Sequence, residues 1–214
     1  MRYKLVIFDF DGTLADTFPA VFRIANKIAE KHHFRQIGVE ERERLRNYSA
    51  DRIFKDLGVP KWRLPMLASE IRSALGKEID SIHLFEGIIG MLKELALEGL
   101  ILAVASSNSK KNIQKVLGSE ISRLFNCFEC GVNLTGKSSR ISKILRHTKV
   151  KREDAILIGD EIRDGDAAKE IGVAFGAVSW GFTHKEALLA CNPEYLFEKP
   201  EDIVSMLGEG DNSK

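Results

Sequence analysis

The sequence predicts an α/β protein, a parallel-sheet core with helices on both faces and one small inserted α-helical domain. Three observations lead there. The chain opens on an apolar strand, and from about Leu84 it alternates short apolar strands with amphipathic helices, the order that builds a parallel sheet. Between these parts, the stretch from Phe34 to Ile82 keeps a helical period and has no convincing strand. Acids and a serine stand just past three strand ends, the edge at which open α/β sheets bind ligands.

The elements follow in order. After the opening strand, Thr17 to Lys31 reads as a helix with Phe18, Val21, Phe22, Ala25, Ile28 and Ala29 on one stripe, Pro19 near its first turn and Asp16 or Thr17 as N-cap. Breaks at Gly38, at Gly58 with Pro60, and at Pro65 divide the next block into short helices near Val39–Tyr48, Ala50–Leu57 and Leu64–Ile79. A helix stopped by Gly99 leads to strand Leu100–Ala105. Then come helix Lys110–Leu117, strand Cys127–Val132, helix Ser138–His147, strand Ala155–Ile158, helix Arg163–Ile171, strand Val173–Val178, helix His184–Ala190 and strand Tyr195–Phe197. The expected division is a core of residues 1–15 and 84–207, an insertion of 16–83 and a loose tail of 208–214.

With 44% hydrophobic and 29% charged residues, the chain has the composition of a packed globular protein. A net charge of +1 gives no reason to expect nucleic acid as a partner, and the clusters Arg42, Arg44, Arg46 and Lys149, Lys151, Arg152 read as solvated faces. No run approaches the ~18 apolar residues of a membrane span, and a strand begins where a signal segment would lie, so no membrane and a cytoplasmic location are expected. Cys127 and Cys130 form a CxxC without further paired ligands and read as core or rim cysteines; Cys191 reads as a turn residue. His32 and His33 are expected in solvent at a helix end, and His83, His147 and His184 stand isolated.

The run KLVIFDFDGTLADT carries most of the chemistry. Alternation along the strand sends Asp9 and Asp11 to one side, where two carboxylates repel unless a cation lies between them or one holds a proton. Gly12 suits a turn of positive φ or one whose backbone approaches a phosphate, and Thr13 can hydrogen-bond within that loop. Three further segments complete it: Ser106-Ser107-Asn108 after a strand, Gly136-Lys137 opening a helix, and Gly159-Asp160-Glu161-Ile162-Arg163-Asp164. Together, in this order, they resemble the haloacid dehalogenase superfamily of phosphotransferases, in its phosphoglycolate-phosphatase-like branch, over nearly the whole chain from Lys4 to about Leu207.

The resemblance implies a Rossmann-like core closed by a helical cap. It implies Asp9 as nucleophile forming an aspartyl-phosphate, and Asp11 as the acid that protonates the leaving oxygen and then the base that activates water. Mg²⁺ is the expected cofactor, on the carboxylates of Asp9 and Asp160 and the backbone carbonyl of Asp11. Glu161 and Asp164 are placed around that ion, holding its water or orienting Lys137, or else are ordinary helix-start acids. Ser106 and the amides after Asp11 and Ser106 would hold phosphate oxygens, with Ser107 and Asn108 one and two positions away; Lys137 supplies the fixed cation, with Lys143 the fallback. Arg46 and Arg52, flanking the cap segment Arg46–Arg52, either hold an acidic part of the substrate or are solvated. Here Tyr48 or Ser49 replaces the family's usual Gly, and Phe85-Glu86-Gly87 lacks the usual Pro before Gly. Hinges are expected near Ala15–Phe18 and Ser81–Glu86.

The expected activity is Mg²⁺-dependent hydrolysis of a small phosphorylated metabolite by a monomer or homodimer. A phosphomutase of the same scaffold and a non-catalytic phospho-ligand-binding member are the alternatives. A receiver-type signalling domain is disfavoured, because its phosphorylated Asp follows a middle strand.

Overall fold

The computed structural model describes residues 2–48, 50–131 and 136–208. Ser49 of the expected specificity loop, Val132 at the end of an expected strand and the tail beyond Gly208 lie outside the described residues. Six parallel strands, β1 (Leu5–Phe8), β2 (Ile101–Ser106), β3 (Phe125–Cys130), β4 (Ala155–Gly159), β5 (Ala174–Val178) and β6 (Tyr195–Phe197), form one sheet in the order β3-β2-β1-β4-β5-β6. This is the doubly wound Rossmann-like arrangement, whose order reverses beside β1.

The period of two along each strand builds two hydrophobic layers. Val6, Phe8, Val104 and Ile158 pack on one face, with α5 (Ile88–Leu97), α6 (Lys110–Ser122) and α10 (Pro200–Gly208). Leu5, Ile7, Ala103 and Leu157 pack on the other, with α7 (Gly136–Thr148), α8 (Ile162–Ile171) and α9 (Lys185–Leu189). Every residue of β1 and β4 is buried, as expected of strands covered on both sides. The expected strands and helices are present with ends shifted by a few residues. β3 starts at Phe125 instead of Cys127, and α6 continues past Leu117 through Gly118, whose φ of 74° breaks the helical geometry there. Helix α10, for which periodicity gave no expectation, buries Ile203 and Leu207.

Four helices lie between β1 and α5: α1 (Phe18–Lys31), α2 (Glu41–Leu45), α3 (Ala50–Asp56) and α4 (Leu64–Lys77). Helices α1 and α4 run antiparallel, tied by Lys31 with Glu70 and by Arg23 with Glu78. His32 is not a solvated residue as expected: its Nε2 lies 2.7 Å from Glu70 Oε2. The chain leaves and re-enters the core side by side. Ala15 bridges both Asp11 and Leu84, Asp16 N donates to His83 O at 2.9 Å, and Phe85 N donates to Leu14 O at 3.1 Å.

The insertion also leans on the loop after β5. Phe18 and Phe22 meet Phe182 at ring separations of 5.2 and 6.2 Å. Arg46 Nη2 and Nε donate to the carbonyls of Gly181 and Phe182, each at 2.9 Å, and His184 N donates to Arg46 O at 3.0 Å. Arg46→Ala would leave two carbonyls without these charge-assisted bonds, at a cost of about 1–3 kcal/mol. For a chain of this length that is a drop of about 2–12 °C in Tm, read by calorimetry. An unchanged Tm would mean that the tie contributes nothing.

Candidate active site

Phe8 pairs with Val104 on one side and with Ile158 on the other, so the chain reaches Asp9, Ser106 and Asp160 within two residues of one line along the sheet edge. Asp9 is buried. Its Oδ1 accepts from Phe10 N at 2.8 Å, and its Oδ2 lies 2.7 Å from Lys137 Nζ. Lys137 comes from the first turn of α7 and also contacts Asp164 on α8. Burial alone would lower the basicity of this ammonium, but Asp164 and Asp9 together hold it above its ordinary value.

Among the described residues, Asp9, Asp160 and Asp164 form a buried acidic triad, with one carboxylate oxygen from each inside a 4.8 Å span. Three hard oxygen donors facing one lysine leave a net negative pocket, a donor set that suits a divalent cation such as Mg²⁺. Asp164 therefore stands closer to the centre than the sequence placed it. It faces Lys137 and Asp9 with one oxygen, while its Oδ2 accepts from Glu161 N at 3.1 Å at the start of α8. Glu161 itself pairs with Arg163 on the outer side.

The Asp11 carboxylate turns away from this triad. Its Oδ1 accepts from Asn108 Nδ2 at 3.1 Å, and Ser106 Oγ lies 3.5 Å from its Oδ2. The buried hydroxyl of Ser106 also accepts from Asn108 N at 3.0 Å. In this structure, then, Ser106 and Asn108 hold Asp11, while Ser107 is half-buried beside them. Burial first, and the Asp9 charge second, push the Asp11 carboxyl up to about 6.

Gly12 and Thr13, expected near the phosphate or within a hydrogen-bonded turn, pack against Asp160. Thr13 Oγ1 donates to Asp160 Oδ1 at 2.7 Å. Gly12 has the anticipated positive φ, 82°, and a Cβ there would lie 2.2 Å from Asp160 Oδ2. The second Asp160 oxygen accepts from Phe182 N at 2.7 Å, and Trp180 Nε1 donates to Thr13 O at 3.0 Å. A Cβ on Gly181 would meet Asp160 Cβ at 2.2 Å and Gly12 O at 2.5 Å. The run Trp180-Gly181-Phe182 thus positions Asp160, a role that sequence reasoning missed; its only signal was Trp-Gly following an apolar strand. Arg140 was missed as well. It is buried on α7, and its guanidinium bonds Gly131 O.

Two of the expected substrate ligands, Arg46 and Arg52, contact other parts of the chain. The guanidinium of Arg46 is occupied by the loop after β5, as described, and Arg52 is exposed, stacked over the Tyr48 ring at 4.0 Å. Arg52 lines a hollow of about 700 Å³ bounded by residues between Arg52 and Leu64, none of them from the buried triad. His184, expected to be isolated, lies 3.3 Å from Glu43 Oε2. Lys143, the fallback cation, is 3.8 Å from Glu129 instead of facing the triad.

The described helices include none long and apolar enough to cross a membrane. The family model described as haloacid dehalogenase-like hydrolase matches residues 6–178, a span that contains every acid of this site. The chain belongs to this family. It is 32% identical over 202 residues to a phosphoglycolate phosphatase of Synechococcus elongatus, covering 94% of this chain and 95% of the relative. It is 23% identical to the pyrophosphatase PpaX of Anoxybacillus flavithermus, covering 97% and 98% of the two chains. Among solved structures, a haloacid dehalogenase-like family hydrolase from Streptococcus pneumoniae superposes with a TM-score of 0.81 at 23% identity, covering 96% of this chain and 99% of that one. The last likeness speaks for the fold.

The electrostatics of this family member predict a pH response. Burial pushes Asp164, like Asp11, up to about 6, against the pull of Lys137, and raises Asp160 with help from Glu161 and Asp164. In metal-free protein the folded state then keeps protons that the unfolded chain releases. The associated stability is complete below the ordinary carboxylate value, near pH 4, and is lost as pH rises through about 6. Protein in EDTA is expected to melt several degrees lower at pH 8 than at pH 5, and Mg²⁺ to raise Tm more at pH 8. A Tm in EDTA that rises over that interval would count against the buried acids.

Proposed function

We propose that the protein is a Mg²⁺-dependent phosphatase that hydrolyses a small phosphorylated metabolite through an aspartyl-phosphate on Asp9. The observation that carries this reading is the division of the acids. Asp9 sits in the triad beside Lys137, while Asp11, two residues on, is held apart by Asn108 with its carboxyl raised to about 6. This division supports Asp9 as the attacking acid and Asp11, whose carboxyl lies near 6, as the one that gives and takes back a proton near neutral pH.

In the first step an Asp9 oxygen forms a bond to phosphorus, the bond from phosphorus to the leaving oxygen breaks, and Asp11 donates its proton to that oxygen. In the second, Asp11 takes a proton from water as the water oxygen attacks phosphorus. The bond from phosphorus to Asp9 then breaks, regenerating the carboxylate and releasing inorganic phosphate. Asp9 and Asp160, with the Asp11 carbonyl, would hold Mg²⁺, whose charge would offset that of the phosphoryl oxygens. Asp164 orients Lys137, which faces the nucleophile with a fixed positive charge. Asp160 is kept in place by Thr13 and Phe182.

The division into residues 1–15 and 84–207 as core and 16–83 as cap belongs to the same reading. Closure of α1–α4 over the sheet edge would exclude water, turning on the paired segments at Ala15 and Leu84. The test is phosphate release from a panel of phosphorylated metabolites, headed by phosphoglycolate and pyrophosphate, with Mg²⁺ and with EDTA. Metal-dependent release supports the reading. Return of the phosphoryl group to the substrate, without release, would identify a mutase, and binding without either reaction a non-catalytic member.

A further inference from the structure

The loop after β5 has two partners, and the same peptide groups serve both. Toward the triad, Phe182 N donates to Asp160 Oδ2 at 2.7 Å and Thr183 N donates to Asp160 O at 3.3 Å. Toward the insertion, Gly181 O and Phe182 O accept from Arg46 Nη2 and Nε, each at 2.9 Å. The carbonyl of Gly181 and the N–H of Phe182 belong to one planar trans peptide group and point in opposite directions, as do the carbonyl of Phe182 and the N–H of Thr183. Two successive peptide groups are therefore clamped between the guanidinium of Arg46 and Asp160.

Arg46 is itself oriented for this contact. It follows α2, its Nη1 lies 3.2 Å from Glu43 Oε2, and its guanidinium stands 5.6 Å over the Phe18 ring. His184 closes the arrangement from the loop side, since its backbone N donates to Arg46 O at 3.0 Å and its Nε2 lies 3.0 Å from Glu43 O. A planar fork on two neighbouring carbonyls fixes both peptide planes, and its charge polarises the N–H groups at their far ends toward Asp160.

We infer that Arg46 is a positioning residue for the metal site: seating of the insertion on this loop holds Asp160 ready to bind Mg²⁺, and Mg²⁺ in turn favours the seated insertion. The inference rests on the reading above, in which Asp160 is a ligand of the ion. Without the fork the two peptide planes lose their outer restraint, and the firm tie left to the Asp160 carboxylate is Thr13 Oγ1, at 2.7 Å. A ligand that must be ordered as it binds gives weaker binding. Linkage is reciprocal, so the factor by which seating tightens Mg²⁺ binding is also the factor by which Mg²⁺ favours seating.

The probe is Mg²⁺ alone, without substrate. It is titrated into Trp62→Phe protein, where Trp180, whose Nε1 donates to Thr13 O at 3.0 Å, is the one tryptophan left to report by fluorescence. Adding Arg46→Ala is expected to weaken Mg²⁺ binding about fivefold or more, and Arg46→Lys, which has no fork, to fall between. Arg23→Met removes the tie to Glu78 inside the insertion and should leave the affinity within about twofold. Hydrogen exchange at the His184 amide should slow with Mg²⁺ in the parent and not in Arg46→Ala. If Arg46→Ala does not fold, Arg46→Lys carries the test with the same outcomes. Equal affinity in parent and Arg46 variant, an equal loss in Arg23→Met, or a His184 amide indifferent to Mg²⁺ overturns the inference while the metal reading stands. A folded parent that responds to Mg²⁺ in neither measurement overturns both.

Discussion

Asp9→Asn is expected to fold and to lose phosphate release by at least about 10⁴-fold, the order of loss when a covalent nucleophile is removed. The amide is nearly isosteric with the carboxylate, and it can still accept from Phe10 N as Asp9 Oδ1 does at 2.8 Å. What disappears is the nucleophile, along with one of the three carboxylates of the triad. Phosphate release is measured at saturating substrate with Mg²⁺, and circular dichroism reports the fold. Activity above about one per cent of the parent, in a protein free of parent contamination, would remove Asp9 from the nucleophilic role.

Lys137→Met is expected to damage both activity and stability. The Lys137 side chain is 9% exposed, and it is the cation within ion-pair distance of both Asp9 and Asp164. Methionine fills much the same volume but leaves two buried carboxylates facing each other. Removing one partner from a buried ion pair costs about 3–5 kcal/mol, which at this length corresponds to a fall of about 6 °C or more in Tm. Activity should drop at least about 10²-fold, because a fixed charge beside the reacting oxygens is lost. Saturating Mg²⁺ should recover part of the Tm, since the ion supplies charge to the same acids, but not the activity. A Lys137→Met protein that melts like the parent in EDTA would show that the acids shed their charge without help from this lysine.

The fold was legible because its signals are local. A period of two in Leu5–Phe8 and Ile101–Ser106, a period near 3.6 in Phe18–Lys31, and glycine stops such as Gly99 each depend on a few neighbouring residues. The strand-edge positions of Asp9, Ser106 and Asp160 follow from the same pattern, since a ligand edge lies wherever parallel strands end together. Less legible was what each side chain faces once the strand has ended. Beyond Phe8 the strand has ended, and Asp11 lies in the turn of Gly12, bridged to Ala15, where Asn108 and Ser106 are its hydrogen-bond partners. For Arg46 and Arg52 the chain offers charge and position as local signals; their contacts, carbonyls near β5 for the first and the Tyr48 ring for the second, are not among them.

The order of strands and helices, the run of helices between β1 and α5 and the edge that carries the acids are thus readable from the residues alone. That Asp164 joins Asp9 and Asp160, and that Thr13 and Phe182 hold Asp160, emerges when distant segments meet in the folded chain. The physical reason is the strand order. Setting β4 directly beside β1 brings α8 and the loop after β5 against the Gly12 turn, and contacts between segments so distant in the chain leave no local pattern to read.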